Sequence, residues 1–215
     1  MIIGGVDEAG RGSIIGPLVV AGVSLQESKI SRLKEIGVKD SKLLTAKTRT
    51  KMYDEIISIV DQYQIQVIDA GEVDDSVFQK GLNKLEAKAM ARIIDQLHAV
   101  EVYVDCCDIN PDRYRQSILS HLDRKLTVHS LHHADRINTA VSAASILAKV
   151  TRDSNVQKIR MRHRGIGSGY PSDEQTMQFL RQFVAKRKCA PAFARKSWKP
   201  MQAMLAGLEQ KKLLT

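Results

Sequence analysis

Two adjacent carboxylates, Asp7 and Glu8, close a short apolar run near the start of the chain and lead at once into Gly10-Arg11-Gly12. Adjacent carboxylates repel, so when both are ionised they belong in water or around a cation. The glycines let something approach the backbone, and an open Gly-Arg-Gly turn suits an anion such as phosphate. Together these residues suggest a metal site next to a phosphate site; a surface hairpin with solvated acids is the alternative. Gly10, Gly12 and Gly16 also mimic a dinucleotide-binding loop, but such a loop must open a helix. Pro17 to Val23, directly after the glycines, reads instead as a second strand.

Two further acids stand where strands end. Val100 to Cys106 alternates so that Val100, Val102 and Val104 share one face while Tyr103 and Asp105 share the other, and Leu126 to Leu131 runs into His132-His133-Ala134-Asp135. Sites in open α/β sheets gather at strand ends, so Asp7 and Asp105 can converge if their strands are parallel neighbours. A long helix over about 138–162 then aligns Ser142, Ser145, Lys149 and Asp153 on one narrow face. Those groups suit phosphate oxygens, or else Lys149 pairs with Asp153 and the serines allow close helix packing. Asp153 lies ~22 Å along the helix from Asn138, too far to join the acids.

The intervening elements read as α/β. Ser41 to Val60 holds a helix, Gln62 to Asp69 a strand with one wet face, and the first three strands make an antiparallel meander. Leu85, Ala89, Ile93 and Leu97 mark a long helix. Asn110 and Pro111 open another, which carries Tyr114, Ile118 and Leu122. A Gly-rich segment at 165–169 reads as a hinge or tight loop, Ser172 as the cap of a helix with Leu180 and Val184 inward, and Met201 to Leu208 as the last helix.

At 215 residues the chain can bury a core. No apolar run approaches the ~20 residues needed to span a bilayer, and the N-terminus enters a strand without a basic segment, so the cytoplasm is expected. Three cysteines without zinc spacing read as reduced and structural. The net charge of +9 is uneven: residues 156–215 carry 13 Lys and Arg against 3 Asp and Glu, the remainder 20 against 21. Such asymmetry suggests a polyanion partner, or a solvated basic helix face.

GVDEAGRG at 5–12, KDSK at 39–42, VD at 104–105, HHADRINTAVSAASILAKVTRD at 132–153 and GYPSD at 169–173 together resemble type 2 ribonuclease H, ribonuclease HII, in its archaeal form. The first and fourth of these are the specific ones. The resemblance implies an RNase H-like α/β fold, a five-stranded mixed sheet in order 3-2-1-4-5 flanked by helices, with a catalytic domain over 1–168 and a basic helical C-terminal subdomain over 169–215. It places the metal ligands on Asp7, Glu8, Asp105 and Asp135, and substrate contacts on Gly10, Arg11, Gly12, Lys42, Ser142, Ser145, Lys149 and Tyr170. At the segment Arg136-Ile137-Asn138-Thr139 relatives often carry Ala-X-Tyr-Pro instead.

The implied activity is hydrolysis of RNA/DNA hybrids and of DNA 5′ to an embedded ribonucleotide, with two Mg2+ or Mn2+ ions. His129, His132 and His133 are then supporting groups, not ligands. A monomer is expected. The tail Gln210-Lys211-Lys212-Leu213 resembles the start of a sliding-clamp peptide, without the two aromatics that usually close one. Two rivals come from other classes. A binding module without catalysis has no use for four acids, and an RNase H-like resolvase acting on DNA has no need of a 2′-hydroxyl reader.

Overall fold

Five strands form one mixed sheet. β1 (Ile2–Ala9) pairs antiparallel with β2 (Leu18–Gln26), and β3 (Gln62–Ile68) lies beyond β2. On its other side β1 pairs in parallel with β4 (Glu101–Asp105), which pairs in parallel with β5 (Thr127–Leu131). The spatial order is β3-β2-β1-β4-β5, as expected. The β1–β4 register sets Val6 opposite Val104, so Asp7 and Asp105 leave the same end of the sheet. The structure, a computed structural model, describes residues 1–38 and 45–213, without the side chains of 46 and 210–213. The KDSK segment with Lys42, and the side chains of the clamp-like tail, lie outside the described residues.

Helices cover both sheet faces at points where glycine permits contact. α4 (Leu82–Gln96) lies so near β2 that a Cβ on Gly22 would sit 2.4 Å from an Ile93 methyl. On the opposite face α7 (Thr139–Arg162) crosses β1, where a Cβ on Gly5 would sit 2.2 Å from the Ala140 carbonyl carbon. A side chain at either position would push a helix off the sheet. The α7 face also receives α1 (Ile30–Glu35) and α2 (Ala46–Ile59), and Leu33, Met52 and Ile56 join Val23, Leu25 and Leu147 in one buried cluster.

Three helices were not expected: α1, α3 (Ala70–Phe78) and α6 (Ala134–Ile137). The start of α3 was written in the sequence, since Asp69 caps it by accepting from the Glu72 N–H at 2.9 Å. α5 (Pro111–Leu119) starts as expected, with Asn110 accepting from the Arg113 N–H at 3.0 Å and proline in the first turn. α8 (Glu174–Arg187) is capped one residue later than expected. Asp173, not Ser172, accepts from the Gln175 N–H, because its carboxylate also serves Ser168 and Thr176. α9 (Lys199–Leu213) closes the described chain. Among the described residues no helix is long and apolar enough to cross a membrane.

The chain divides into two compact units that interleave along the sequence. One comprises Met1–Ala9, Val19–Val67 and Asn83–Thr151; the other comprises Gly10–Leu18, Ile68–Leu82 and Arg152–Thr215. The interleaving has a physical cause in the second unit. Its apolar core recruits Ile14 and Ile15 alongside Leu180, Val184 and Met201, and the Gly16 N–H donates to the Phe193 carbonyl at 2.9 Å.

Candidate active site

The first unit carries the acids. Asp7 is buried, Glu8 and Asp105 are half-buried, and Asp135 is buried at the start of α6. Backbone groups hold two of the carboxylates. The Glu8 N–H donates to Asp7 at 2.7 Å, and the Ala134 N–H donates to Asp105 at 2.6 Å, which ties the end of β4 to the loop bearing Asp135. That loop turns sharply through His133, whose φ of 55° lies in the left-handed region. The Ser142 hydroxyl donates to the Asp135 carbonyl and Ser145 donates to the Asp7 carboxylate, so both serines of the polar stripe on α7 position acids. Ser142 is itself buried and serves as an internal brace. Lys149 is half-buried one turn beyond Ser145.

Electrostatics at this end are unfavourable for the protein alone. Burial, then the charges of Glu8 and Asp105, push the Asp7 carboxyl well above the usual carboxylate range, against the pull of the Ser145 bond. Every donor is a carboxylate oxygen, the chemistry of a hard divalent cation. Among the described residues no three His, Cys, Asp or Glu side chains already stand gathered as a metal-binding set. The fit is thus one of donor type and charge. His129 stacks on Tyr103 at 4.6 Å and meets Glu101 at 2.8 Å, and His132 faces the Ile109 carbonyl.

The second unit carries the turn and Tyr170. Gly10 has a φ of 87°, Arg11 is half-buried and Gly12 is exposed, with nothing within 4 Å of the place a Cβ would take. Of the two readings of the segment before Tyr170, hinge or tight loop, the structure has the tight loop. Gly169 accepts from Ile14 and Ile15 at 2.8 and 3.0 Å and donates to the Thr176 hydroxyl at 3.0 Å, while Arg160 and Asp173 bind the backbone of Gly167 and Ser168. Tyr170 is half-buried with its ring 4.4 Å from the guanidinium carbon of Arg152. Arg152 is only 2% exposed and donates to the Ser168 carbonyl at 2.9 Å and to Asp153 at 3.1 Å.

A family model for ribonuclease HII matches residues 4–201. The chain belongs to the ribonuclease HII family. It is 47% identical over 207 residues to a ribonuclease HII of Cenarchaeum symbiosum, an alignment covering 96% of this chain and all of that one. The crystal structure of ribonuclease H2 from Pyrococcus horikoshii superposes with a TM-score of 0.92 at 36% identity, covering 98% of this chain and 100% of that chain. The RNase HII in the PCNA:RNase HII complex from Archaeoglobus fulgidus superposes at 0.86 with 34% identity, covering 93% and 96%. This ribonuclease HII is accordingly an endonuclease that hydrolyses RNA in RNA/DNA hybrids.

Sequence reasoning missed two residues of this ribonuclease HII. Arg195 counted only as one charge of a basic loop, yet it is fully buried and donates to the carbonyls of Arg11 at 2.6 Å, Gly10 at 2.7 Å and Gly16 at 3.4 Å. Arg152 drew no notice in the middle of α7. No local pattern announces either residue, because the carbonyls of Gly10, Arg11 and Gly16 for Arg195 and of Ser168 for Arg152 are distant in sequence and generic in type.

Proposed function

We propose that this ribonuclease HII cuts on the 5′ side of a ribonucleotide, both in RNA/DNA hybrids and in DNA duplexes holding single ribonucleotides, and leaves 3′-hydroxyl and 5′-phosphate ends. The observation that carries the reading is the buried Asp7 carboxyl with the Glu8 and Asp105 carboxylates beside it, in a chain of the ribonuclease HII family. Ionised carboxylates so close are at ease at neutral pH only with cations between them, and an all-oxygen donor set favours Mg2+ or Mn2+ over zinc. Asp7, Glu8, Asp105 and Asp135 would hold two such ions. When bound, the pair would supply an activated water and charge stabilisation at the leaving oxygen.

The chain's own groups do the rest. Ser145 and the Glu8 N–H orient Asp7, Ser142 braces the backbone of Asp135, and Lys149 with Lys42 would meet substrate phosphates. Gly10, Arg11 and Gly12 bring backbone groups to the ribose 2′-hydroxyl, the one group that separates the two sugars, and Tyr170 packs against that nucleotide. Basic residues of 156–215 would grip the backbone. The decisive experiment is incubation with a duplex carrying one ribonucleotide, with and without Mg2+, and mapping of the ends. Cleavage of an all-DNA duplex would favour a resolvase, and binding without cleavage a non-catalytic module.

We also place the enzyme in the cytoplasm as a monomer that binds a sliding clamp through its tail. The clamp reading draws on the PCNA complex of the Archaeoglobus relative and on Gln210 to Leu213. A clamp pull-down unaffected by deleting 210–215 would remove it. Sedimentation at the mass of two chains, or recovery in a membrane fraction, would overturn the other assignments.

A further inference from the structure

The loop carrying Arg195, Lys196, Ser197 and Trp198 is tied down on one side and reaches for the Gly-Arg-Gly turn on the other. Asp74 of α3, itself buried, accepts from the backbone N–H groups of Lys196 at 2.7 Å and Ser197 at 2.8 Å and from the Ser197 hydroxyl at 2.5 Å. From that anchor the Arg195 side chain collects the carbonyls of Gly10, Arg11 and Gly16, and the Trp198 indole N–H donates to the Gly12 carbonyl at 3.3 Å. The Arg195 guanidinium carbon also lies 4.7 Å from the Trp198 ring centroid. Four carbonyls of one short segment are thus claimed by two neighbouring side chains.

We infer that Arg195 and Trp198 are positioning residues for ribonucleotide recognition, fixing the Gly10–Gly12 backbone in the orientation that meets the ribose 2′-hydroxyl. Orienting a peptide plane by its carbonyl orients its N–H as well, since the two are rigidly opposed across one planar unit. Arg195 suits the task better than Lys, because a planar fork can hold several acceptors at fixed angles where an ammonium holds them loosely. Burying it is costly. Burial and the nearby Arg152 charge lower the Arg195 pKa to about 10, so two cations are kept close together where apolar residues could have filled the space. Arg152 makes the matching arrangement on the neighbouring segment, with Ser168 held by hydrogen bond and Tyr170 by its ring.

The inference rests on the turn being the 2′-hydroxyl reader, and the test separates the two ideas. Arg195→Lys and Trp198→Phe would be compared with Gly12→Ala for kcat/KM on a duplex with one ribonucleotide, for affinity toward the same duplex made wholly of DNA, and for melting temperature. Trp198→Phe keeps a ring over Arg195 and removes one hydrogen bond, so it decides the matter if Arg195→Lys does not fold. Expected is a fall in kcat/KM of about tenfold or more for Arg195→Lys and about threefold for Trp198→Phe, with DNA affinity within twofold of the parent. Unchanged kcat/KM in the folded variants, or DNA affinity falling in step with it, would overturn the positioning role. If Gly12→Ala alone lowers kcat/KM, the turn remains the reader and only the positioning role falls; if Gly12→Ala is harmless, the reader itself falls.

Discussion

Asp7 is buried with like charges beside it, and what relief it has comes from one hydroxyl and one backbone N–H. At the turn the buried charges are the cations Arg152 and Arg195; Arg195 faces backbone carbonyls, and Arg152 faces the Ser168 carbonyl and the Asp153 carboxylate. On the function proposed above, the first arrangement is completed by ions from outside the chain, whereas the second is answered by the chain's own groups. On that reading the acids receive ions and the turn holds shape. Ion removal should therefore be felt at the acids, while loss of a single donor should be felt at the turn.

The largest expected effect tests the acid side. If Asp7 and Asp105 hold the two proposed ions, Asp7→Asn or Asp105→Asn should lower cleavage by on the order of 10³-fold or more, with hybrid affinity largely kept. Without ions the sign reverses for stability. A carboxyl whose folded pKa is raised keeps its contribution in full below the unfolded pKa and loses it as pH rises from there through the folded pKa, so burying Asp7 among like charges costs the ion-free protein stability at neutral pH. Asp7→Asn should melt higher than the parent in EDTA, by about 2–4 °C per kcal/mol relieved. A lower melting temperature would mean that the acids are already satisfied from within, and the comparison would lose its basis.

Effects of intermediate size belong to the turn. A Cβ on Gly10 would stand 2.6 Å from the Pro17 carbonyl oxygen at a φ of 87°, so Gly10→Ala should cost about 1–3 kcal/mol of stability as well as activity. Gly12 has open space instead, and Gly12→Ala should melt like the parent while cleaving about tenfold more slowly. Equal melting losses for the two variants would erase the distinction between a shape-holding and a substrate-facing glycine. Tyr170→Ala should likewise slow ribonucleotide cleavage about tenfold, and it forfeits the Arg152 contact, worth about 0.5–2 kcal/mol. An unchanged rate with a lowered melting temperature would make Tyr170 an anchor only.

The two regions were unequally legible in the sequence. Asp7, Asp105 and Asp135 each end an apolar strand or follow one, and strand periodicity is a local signal, so the strands and the acids at their ends could be read from short windows, whereas the sheet order came from the family resemblance. Asn110 and Asp69 likewise speak through residues three positions away. Arg195 contacts Gly10 across 185 residues and through a carbonyl that every amino acid possesses, so neither spacing nor residue type could disclose it. The choice between hinge and tight loop at 165–169 was undecided for the same reason. Glycines there signal conformational freedom, yet Asp173, Thr176 and Arg160 spend side-chain hydrogen bonds on that backbone.

The smallest expected effect uses a third carboxylate to bound the comparison. Asp108 stands three residues past Asp105 but is internally paired. It accepts from Arg113, from the Asn110 N–H at 2.9 Å and from the Asn83 amide at 2.8 Å. The Arg113 bond foremost, then the Asn110 N–H, lower its pKa to about 2. A depressed carboxylate stabilises the fold above its unfolded pKa, and that contribution disappears as pH falls through the folded value, so the window runs from about pH 4 down to about pH 2. Arg113 is 66% exposed, so solvent screening reduces the contribution to about 1 kcal/mol. Asp108→Asn should therefore melt about 2–4 °C lower than the parent at neutral pH, with the gap closing across that window, and with EDTA changing neither protein's gap. Should EDTA alter the gap, Asp108 would be drawn into the ion-dependent group. If the gap persists at pH 2, its cost comes from packing rather than charge, and the contrast between internally and externally compensated acids fails at this residue.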